Sequence, residues 1–500
     1  MAITKYLGTE TEYGISVVGR PDFNPVLASS LVVNAYAADG RPRARWDYEE
    51  ENPLRDARGF VQSGGAHEAP PDEDVGLANS ILPNGARFYV DHAHPEYSSP
   101  ECSNPMDAVS WDKAGERILE VAAAKAAQLL PGADPARPGR IVITKNNTDG
   151  KGAAYGTHEN YLMDRSVPFG ELVRHLTPFF VTRQVMIGAG RVGNEFGLED
   201  VPYQIAQRAD FFEVEVGLET TLKRPIVNTR DEPHADPERF RRLHVIIGDA
   251  NMSEVCTYLK LGSTALVLMM VEDGFLPEPP TLAQAVKALH DVSHDLTCRR
   301  TVPLKDGRSV TPVEVQWHYL EQAKKYCKEC EGPDWGTEVL AVWERVLTAI
   351  EDDPLSLDGV VDWVTKYRVL CRYVERDGLE WSHDKLKLID LQYHDVRRDK
   401  GLHNRLVETG RAERLVPETE VRRAMTHPPE DTRAYFRGRC LDKYRDQVAA
   451  AGWDSIIFDV GRETLQRVPM MDPARGGRAM TEELIDRCPT AAELLDELQA

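Results

Sequence analysis

Polar and apolar residues alternate from Arg87 to Asp91, in the run Arg-Phe-Tyr-Val-Asp. Successive side chains of a strand point to opposite faces of a sheet, so this alternation predicts a strand. Arg87, Tyr89 and Asp91 would share one face, and Phe88 and Val90 would share the other. The apolar face is expected to contact the core, and the polar face is available for chemistry.

Three more segments carry polar residues at the same spacing of two. They are Glu10 and Glu12, His158 and Asn160, and Arg242 and His244. A single such pair is more often a solvated strand face. If the four segments are neighbouring strands, however, one concave face carries carboxylates, imidazoles and a guanidinium. Divalent cations prefer carboxylate oxygens and Arg binds phosphate, so this face suits a metal and a nucleotide.

Apolar periodicity predicts helices elsewhere. A stripe with spacings of three, four and seven, preceded by Asp107 as the expected N-cap, predicts a helix behind the sheet; it comprises Ala114, Ile118, Val121, Ala122 and Leu129. The residue pattern is mainly helical from about 280 to 410, and Pro417 marks the point at which this pattern changes. We predict an α+β protein, with a curved, mainly antiparallel sheet and helices in a large domain (1–416) and a small C-terminal domain (417–500).

Residues 38–80 lack periodicity and are rich in Gly, Pro and mixed charge. This composition predicts a long surface loop inserted between two site-bearing strands. Long loops in compact domains are often functional, so we expect the insertion to act as a gate.

Composition excludes several classes of protein. The formal net charge of −21 disfavours nucleic acid or an anionic membrane as the main partner. No apolar run reaches membrane-spanning length and the N-terminus lacks a signal-peptide pattern, so we expect a cytoplasmic protein. The eight cysteines are too sparse for a disulfide scaffold, and Cys327-x-x-Cys330 is expected to be incidental. No serine hydrolase, zincin or protein kinase motif is present, and the lack of an apolar seam favours a monomer.

Several longer motifs follow one another along the chain. They are Gly8-x-Glu10-x-Glu12-Tyr13-Gly14, Tyr89-x-Asp91, His94-Pro95-Glu96-Tyr97, Lys145-Asn146-Asn147, His158-Glu159-Asn160-Tyr161, Asn-Thr-Arg-Asp-Glu-Pro-His-Ala at 228–235 and Arg-Leu-His-Val-Ile-Ile-Gly-Asp at 242–249. In these motifs the chain closely resembles the Pup ligase and depupylase family, whose enzymes are related to glutamine synthetase and carboxylate-amine ligases. Pup is a small prokaryotic ubiquitin-like protein.

The resemblance implies one of two activities. One branch of the family is an ATP-consuming ligase that joins the C-terminal glutamate of Pup to a target lysine. The other hydrolyses that isopeptide bond and deamidates a C-terminal glutamine of Pup. The insertion at 38–80, the short run between Asp91 and His94, and the segment 208–217 resemble the depupylase branch. The alternatives are the ligase and a non-catalytic, nucleotide-dependent Pup receptor, which would not need Asp91.

The resemblance also implies roles for individual residues. The candidate magnesium ligands are Glu10, Tyr89, Glu96, His158 and His244, and the candidate ATP contacts are Ser98, Ser99, Asn160, Arg242 and Trp453. Asp91 becomes the catalytic carboxylate. A neighbouring metal lowers a carboxylate pKa, so Asp91 is expected to be ionised. Whether it attacks the carbonyl, deprotonates water or assists a retained phosphate stays open, as does magnesium against manganese.

Pup-like proteins are acidic, so an acidic enzyme needs a local basic groove to bind them. The expected substrate contacts are Arg208, Arg224 and Arg230, with Lys223, Arg239 and Arg241 nearby in sequence. For Arg230, a surface ion pair with Asp231 is the simpler alternative.

Overall fold

The structure is a computed structural model that describes residues 1–37, 44–49, 51, 53–61, 78–131, 139–150, 152–195 and 201–499. The strands are β1 Leu7–Glu12, β2 Gly14–Val17, β3 Arg45–Trp46, β4 Arg55–Asp56, β5 Phe60–Val61, β6 Asn79–Ile81, β7 Arg87–Asp91, β8 His94–Ser98, β9 Ile141–Thr144, β10 Thr157–Asp164, β11 Arg191–Val192, β12 Tyr203–Gln204, β13 Phe212–Gly217, β14 Arg224–Asn228, β15 Phe240–Val245, β16 Val302–Pro303, β17 Ser309–Val310, β18 Val448–Ala451, β19 Ser455–Phe458 and β20 Gln466–Pro469. The helices are α1 Pro25–Ala37, α2 Pro105–Ala127, α3 Phe169–Ile187, α4 Glu254–Glu272, α5 Ala285–Ser293, α6 Pro312–Glu329, α7 Gly336–Asp352, α8 Asp362–Asp377, α9 Asp384–Tyr393, α10 Leu402–Glu408, α11 Glu418–Ala424, α12 Arg433–Lys443, α13 Arg478–Arg487 and α14 Ala491–Gln499.

A six-stranded antiparallel sheet organises the large domain, in the order β15-β10-β1-β8-β7-β6. The four polar pairs therefore do lie on one sheet, as predicted, and β8 lies between β1 and β7. The register places Glu10 opposite both His158 and Ser98. It also places Tyr89 opposite Glu96. The predicted alternation of β7 is confirmed, since Phe88 and Val90 are buried behind the sheet.

Helices cover the back of this sheet, among them α2 and α4. The predicted cap of α2 was wrong, because Asn104, one residue before the helix, accepts a hydrogen bond from the Asp107 amide. The predicted stripe is also too wide, since Val121 and Leu129 are exposed. Within the described residues, α4 is the one helix long and apolar enough to cross a membrane, but 94% of its most apolar window is buried inside the protein. It forms part of the core.

The C-terminal unit has its own sheet, in the order β20-β19-β18-β3, and its own core around Phe436, Ile456 and Leu494. The predicted boundary at residue 417 differs from this arrangement. Val421 and Ala424 of α11 are buried in the core of the large domain. The core of the small unit therefore begins at α12, because the apolar face of α11 packs against the large domain and not against α12.

The predicted insertion at 38–80 is only partly visible, since 38–43, 50, 52 and 62–77 lie outside the described residues. The described part is not a structureless loop. Its strand β3 pairs in parallel with β18 of the C-terminal unit. The β4–β5 hairpin contacts the large domain, where the Asp56 carboxylate accepts a 2.7 Å hydrogen bond from the Thr229 hydroxyl. This segment therefore takes a defined structure through contacts with residues that are distant in sequence.

Candidate nucleotide and metal site

The polar face of the main sheet forms the floor of a cleft of about 1090 Å³. A smaller cavity adjoins it where β1, β8, β10 and β15 meet the C-terminal unit. Glu10, Ser98, His234, Arg242 and Trp453 line both spaces, so the two communicate directly.

Three predicted metal ligands converge on adjacent strands β1, β10 and β15. Glu10 Oε2 lies 3.2 Å from His158 Nδ1 and 3.6 Å from His244 Nε2. The candidate ligand atoms of these three residues all lie within 4.8 Å of one another. Burial opposes ionisation of Glu10, but both histidines and Arg242 outweigh it and hold its pKa well below the usual range. Glu10 is thus an anionic carboxylate between two imidazoles.

The surroundings of His244 are suited to a cation bound by these three residues. His244 is 1% exposed, and neither ring nitrogen has a hydrogen-bond partner in the described part of the chain. Burial lowers its pKa well below the usual range, so the imidazole is neutral and has a lone pair to donate. A buried polar atom without a partner is costly, and a divalent cation would satisfy it.

A second acidic group lies beside the first. Oxygens of Glu12, Asp91 and Glu96 lie within 4.8 Å of one another, and Tyr89 is opposite Glu96 on the neighbouring strand. Burial and the nearby carboxylates raise the pKa of Glu96 well above its usual value. Glu12 and Glu96 are the enclosed members, whereas the Asp91 side chain is 41% exposed and faces the cleft. Glu12, Glu96 and Tyr89 are therefore candidate ligands, and the catalytic role of Asp91 stays a prediction.

Glu12 was missing from the predicted ligands, although its spacing of two from Glu10 was the signal that could have found it. Its Oε1 accepts a 2.8 Å hydrogen bond from the Gly156 amide, and its Oε2 lies 3.2 Å from His94 Nδ1. These contacts fix the carboxylate at the inner wall of the cleft, opposite Glu96 in the register.

All five predicted ATP contacts line the smaller cavity: Ser98, Ser99, Asn160, Arg242 and Trp453. Arg242 Nη1 donates to Asn160 Oδ1 at 2.7 Å, and its Nε donates to the Glu232 carbonyl at 2.8 Å. These bonds hold the guanidinium at the edge of the cavity, where a phosphate could bind. The Ser99 hydroxyl accepts a 2.9 Å hydrogen bond from the Thr9 amide, so it shapes the wall.

The C-terminal unit closes the smaller cavity through Trp453. The Trp453 ring meets the Trp46 ring edge to face at 5.4 Å, and the Arg437 guanidinium lies 5.0 Å from its centroid. Glu101 and Arg433 also line this cavity, and sequence analysis missed both. Their contact joins two segments more than 300 residues apart, which no local pattern could indicate.

Fewer of the predicted basic residues line the cleft than expected. Arg208 is 1% exposed and donates to the Ile246 carbonyl, while Arg224 donates to the carbonyls of Ala154 and Thr220 at 2.9 Å. Burial lowers the pKa of Arg208 to about 10. Among the described residues neither guanidinium has a carboxylate partner, so both leave positive charge at the cleft wall.

The other predicted cations are arranged differently. Arg230 lines the cleft, and its Nε lies 3.7 Å from a Glu232 carboxylate oxygen. The alternative ion pair with Asp231, also a described residue, is not observed, because Asp231 pairs with Arg165. Arg239 pairs with Asp472 at 3.0 Å. Neither Arg239 nor the remaining two neighbours, Lys223 and Arg241, lines the cleft.

Comparisons with known proteins agree with this architecture. The family model described as Pup-ligase protein matches residues 5–457, and the chain belongs to this family. It is 59% identical over 503 residues to a protein of Acidothermus cellulolyticus named depupylase, covering 99% of each chain. It is 51% identical over 500 residues to a Pup deamidase/depupylase of Mycolicibacterium smegmatis, again covering 99% of each. Identity to a Pup–protein ligase of Kineococcus radiotolerans is 42% over 413 residues, covering 82% of this chain and 90% of the ligase.

Two solved structures share the fold. The complex between Pup and its ligase PafA matches with a TM-score of 0.80 and 32% identity, covering 99% of this chain and 94% of PafA. PafA in complex with ADP matches with a TM-score of 0.74 and 36% identity, covering 84% of this chain and 91% of PafA. The predicted α+β fold, with an antiparallel sheet backed by helices, is confirmed.

Proposed function

We propose that this protein is an ATP-dependent hydrolase that converts the C-terminal glutamine of Pup to glutamate and cleaves the isopeptide bond between Pup and target lysines. The observation that carries the proposal is end-to-end identity of 59% and 51% to proteins named for depupylation. The ligase relative is less similar and matches less of the chain. Amide hydrolysis needs an activated nucleophile and charge stabilisation, and the cleft contains groups for both.

ATP would occupy the smaller cavity, with its base near Trp453 and its phosphates directed toward Arg242. ADP binding by the structurally similar PafA supports this assignment. Magnesium would be held by Glu10, His158 and His244, with Glu12, Glu96 and Tyr89 as a second ligand group. Bound magnesium would supply the positive charge that neutralises phosphate oxygens and polarises a bound carbonyl.

Asp91 acts from the open side of the cleft. It ends β7 with its side chain partly exposed, beside the more buried carboxylates of Glu12 and Glu96. Nearby His92 and His158 favour its charged form against the effect of burial, so its pKa is lowered and it is ionised at neutral pH. An ionised carboxylate at this point can attack the Pup carbonyl, take a proton from water or orient a phosphate nucleophile.

The substrate's acidic tail would meet Arg224 and Arg208 at the cleft wall. Neither guanidinium is neutralised by a carboxylate in the described chain, and a substrate carboxylate would restore charge balance. We also propose that one copy of the chain is sufficient, because the candidate ligand groups and the nucleotide cavity come from a single chain. The partners are then Pup and pupylated proteins.

Mass spectrometry of the reaction products tests the proposal. Pup ending in glutamine is incubated with the full chain, ATP and Mg²⁺, beside Pup ending in glutamate mixed with a lysine-bearing target. Conversion of glutamine to glutamate without conjugation is expected. Conjugate formation without deamidation would instead assign the ligase activity, which the similarity to PafA makes the second candidate. Pup binding without either reaction would assign the receptor.

A further inference from the structure

The turn between β7 and β8 places a histidine in an unfavourable backbone conformation. His92 and Ala93 are the two turn residues, and His92 has φ of +50°. A short hairpin turn with positive φ at its first central position usually has glycine there, because a β-carbon is strained in the left-handed region. Backbone strain at a site lining a cleft leads us to ask what the side chain does there.

The His92 side chain reaches the reactive carboxylate. Its Nδ1 lies 3.2 Å from Asp91 Oδ1, and it lines the same cleft. It is the most accessible imidazole of the site, with 66% of its side chain exposed, against 25% for His94, 14% for His158 and 1% for His244. His94, His158 and His244 face Glu10 or Glu12, and His234, which also lines the cleft, is only partly exposed, whereas His92 can meet an incoming substrate.

Cleavage of a lysine isopeptide bond requires a proton donor close to the bond that breaks. The carbonyl–nitrogen bond breaks, and the nitrogen leaves as an amine that needs one proton, because the amide anion is far too basic to leave. This requirement rests on the proposed function, and it is the same whether Asp91, water or phosphate supplies the attacking oxygen.

We propose that His92 is the general acid that protonates the departing amine. The His92 imidazolium gives its proton to the amide nitrogen as the carbon–nitrogen bond breaks, and the neutral imidazole then recovers a proton from the water that completes hydrolysis. The second proton of that water goes to the released amine, so the products are a Pup carboxylate and a lysine ammonium group, and protons and atoms balance over the cycle. In the deamidation of glutamine, the same proton would go to departing ammonia.

The electrostatic surroundings of His92 agree with this role. The Asp91 carboxylate, by hydrogen bond and charge, raises the pKa of His92 to about 9, and the charge of Glu12 acts in the same direction. Partial burial opposes both but is weaker. The imidazole therefore carries its proton at neutral pH.

Dependence on the leaving group separates proton donation from a structural role. Two substrates are prepared with the same Pup acyl group, one linked to a lysine side chain and one linked to a weakly basic aminocoumarin, which can leave without full protonation. The variants are His92→Asn, which tolerates positive φ, and His92→Gln. We expect kcat for the lysine substrate to fall about 10²–10⁴-fold, while kcat for the coumarin substrate changes less than about threefold.

Equal losses on both substrates would overturn the proposal and make His92 a positioning residue, and no loss on either would also overturn it. Thermal unfolding of both variants is compared with that of the parent, and the ratio of the two kcat values is unaffected by any fraction that fails to fold. A parent that cleaves neither substrate would refute the proposed function itself, whereas an active parent with an unchanged ratio in both variants would refute only the role of His92.

Discussion

Replacing Glu101 with Gln is expected to weaken the interface between the large domain and the C-terminal unit. The Glu101 carboxylate accepts a 2.6 Å hydrogen bond from Arg433 Nε and also pairs with Arg437. Both arginine side chains are at most 4% exposed. Arg437 additionally donates to the Gly85 carbonyl at 2.9 Å and the Trp453 carbonyl at 3.1 Å, so a single guanidinium joins the turn between β6 and β7 to the wall of the smaller cavity.

The size of the effect follows from the pKa of Glu101. Burial opposes its charge, but Arg437 and Arg433 outweigh burial and lower the pKa from 4.5 to about 2. At about 1.4 kcal/mol per pKa unit, the charged form contributes about 3 kcal/mol to stability. Because the folded-state pKa is depressed, this contribution is complete above pH 4.5 and is lost as the pH falls toward 2.

Urea unfolding followed by tryptophan fluorescence measures this effect. At pH 7, Glu101→Gln should lower the free energy of unfolding by about 3 kcal/mol, and the difference from the parent should shrink below pH 4.5. The matched control is Glu344→Gln, which removes a 48% exposed partner of Lys324 and should leave the unfolding midpoint nearly unchanged. A difference below about 1 kcal/mol at pH 7, or one that is constant with pH, would refute the reasoning.

Four further predictions concern the site and the core. Asp91→Asn should abolish deamidation while leaving the Kd for ADP within about twofold, measured by calorimetry, because Asp91 lies outside the smaller cavity, where we propose that the nucleotide binds. Trp453→Ala should raise that Kd about tenfold through lost ring contact, and an unchanged Kd would exclude Trp453 from the base site. Arg224→Glu should weaken Pup binding more than about tenfold in fluorescence anisotropy, and Arg239→Glu, outside the cleft, should not. Burial lowers the pKa of His403 from 6.5 to about 4, so its neutral form favours folding above pH 6.5 and this contribution is lost as the pH falls toward 4. His403→Gln should therefore flatten the loss of thermal stability in that range, and parallel melting curves for the two proteins would contradict this.

Much of the site was accessible from sequence because its residues follow strand periodicity. The spacing of two in Glu10-x-Glu12 and Tyr89-x-Asp91 determines which side chains share a face, since backbone geometry alternates them. Family resemblance then indicated the nucleotide contacts, and all five line one cavity. Their roles as ligands stay predictions.

Which segments become neighbours was decided by tertiary structure. The grouping of Glu12 with Asp91 and Glu96 depends on strand order and register. In the part of the chain described, Arg224 has no carboxylate partner. This too depends on which distant segments pack around it.

The largest departures from the sequence predictions are contacts between distant segments. The strand Arg45–Trp46, expected in a loop, is ordered by pairing with β18, about 400 residues later. Helix α11, assigned by sequence to the C-terminal unit, buries Val421 and Ala424 in the large domain. Local periodicity reports which face of an element is apolar, because it follows from backbone geometry within a few residues. It does not report which surface covers that face, because that depends on the shape and free energy of the whole packed chain.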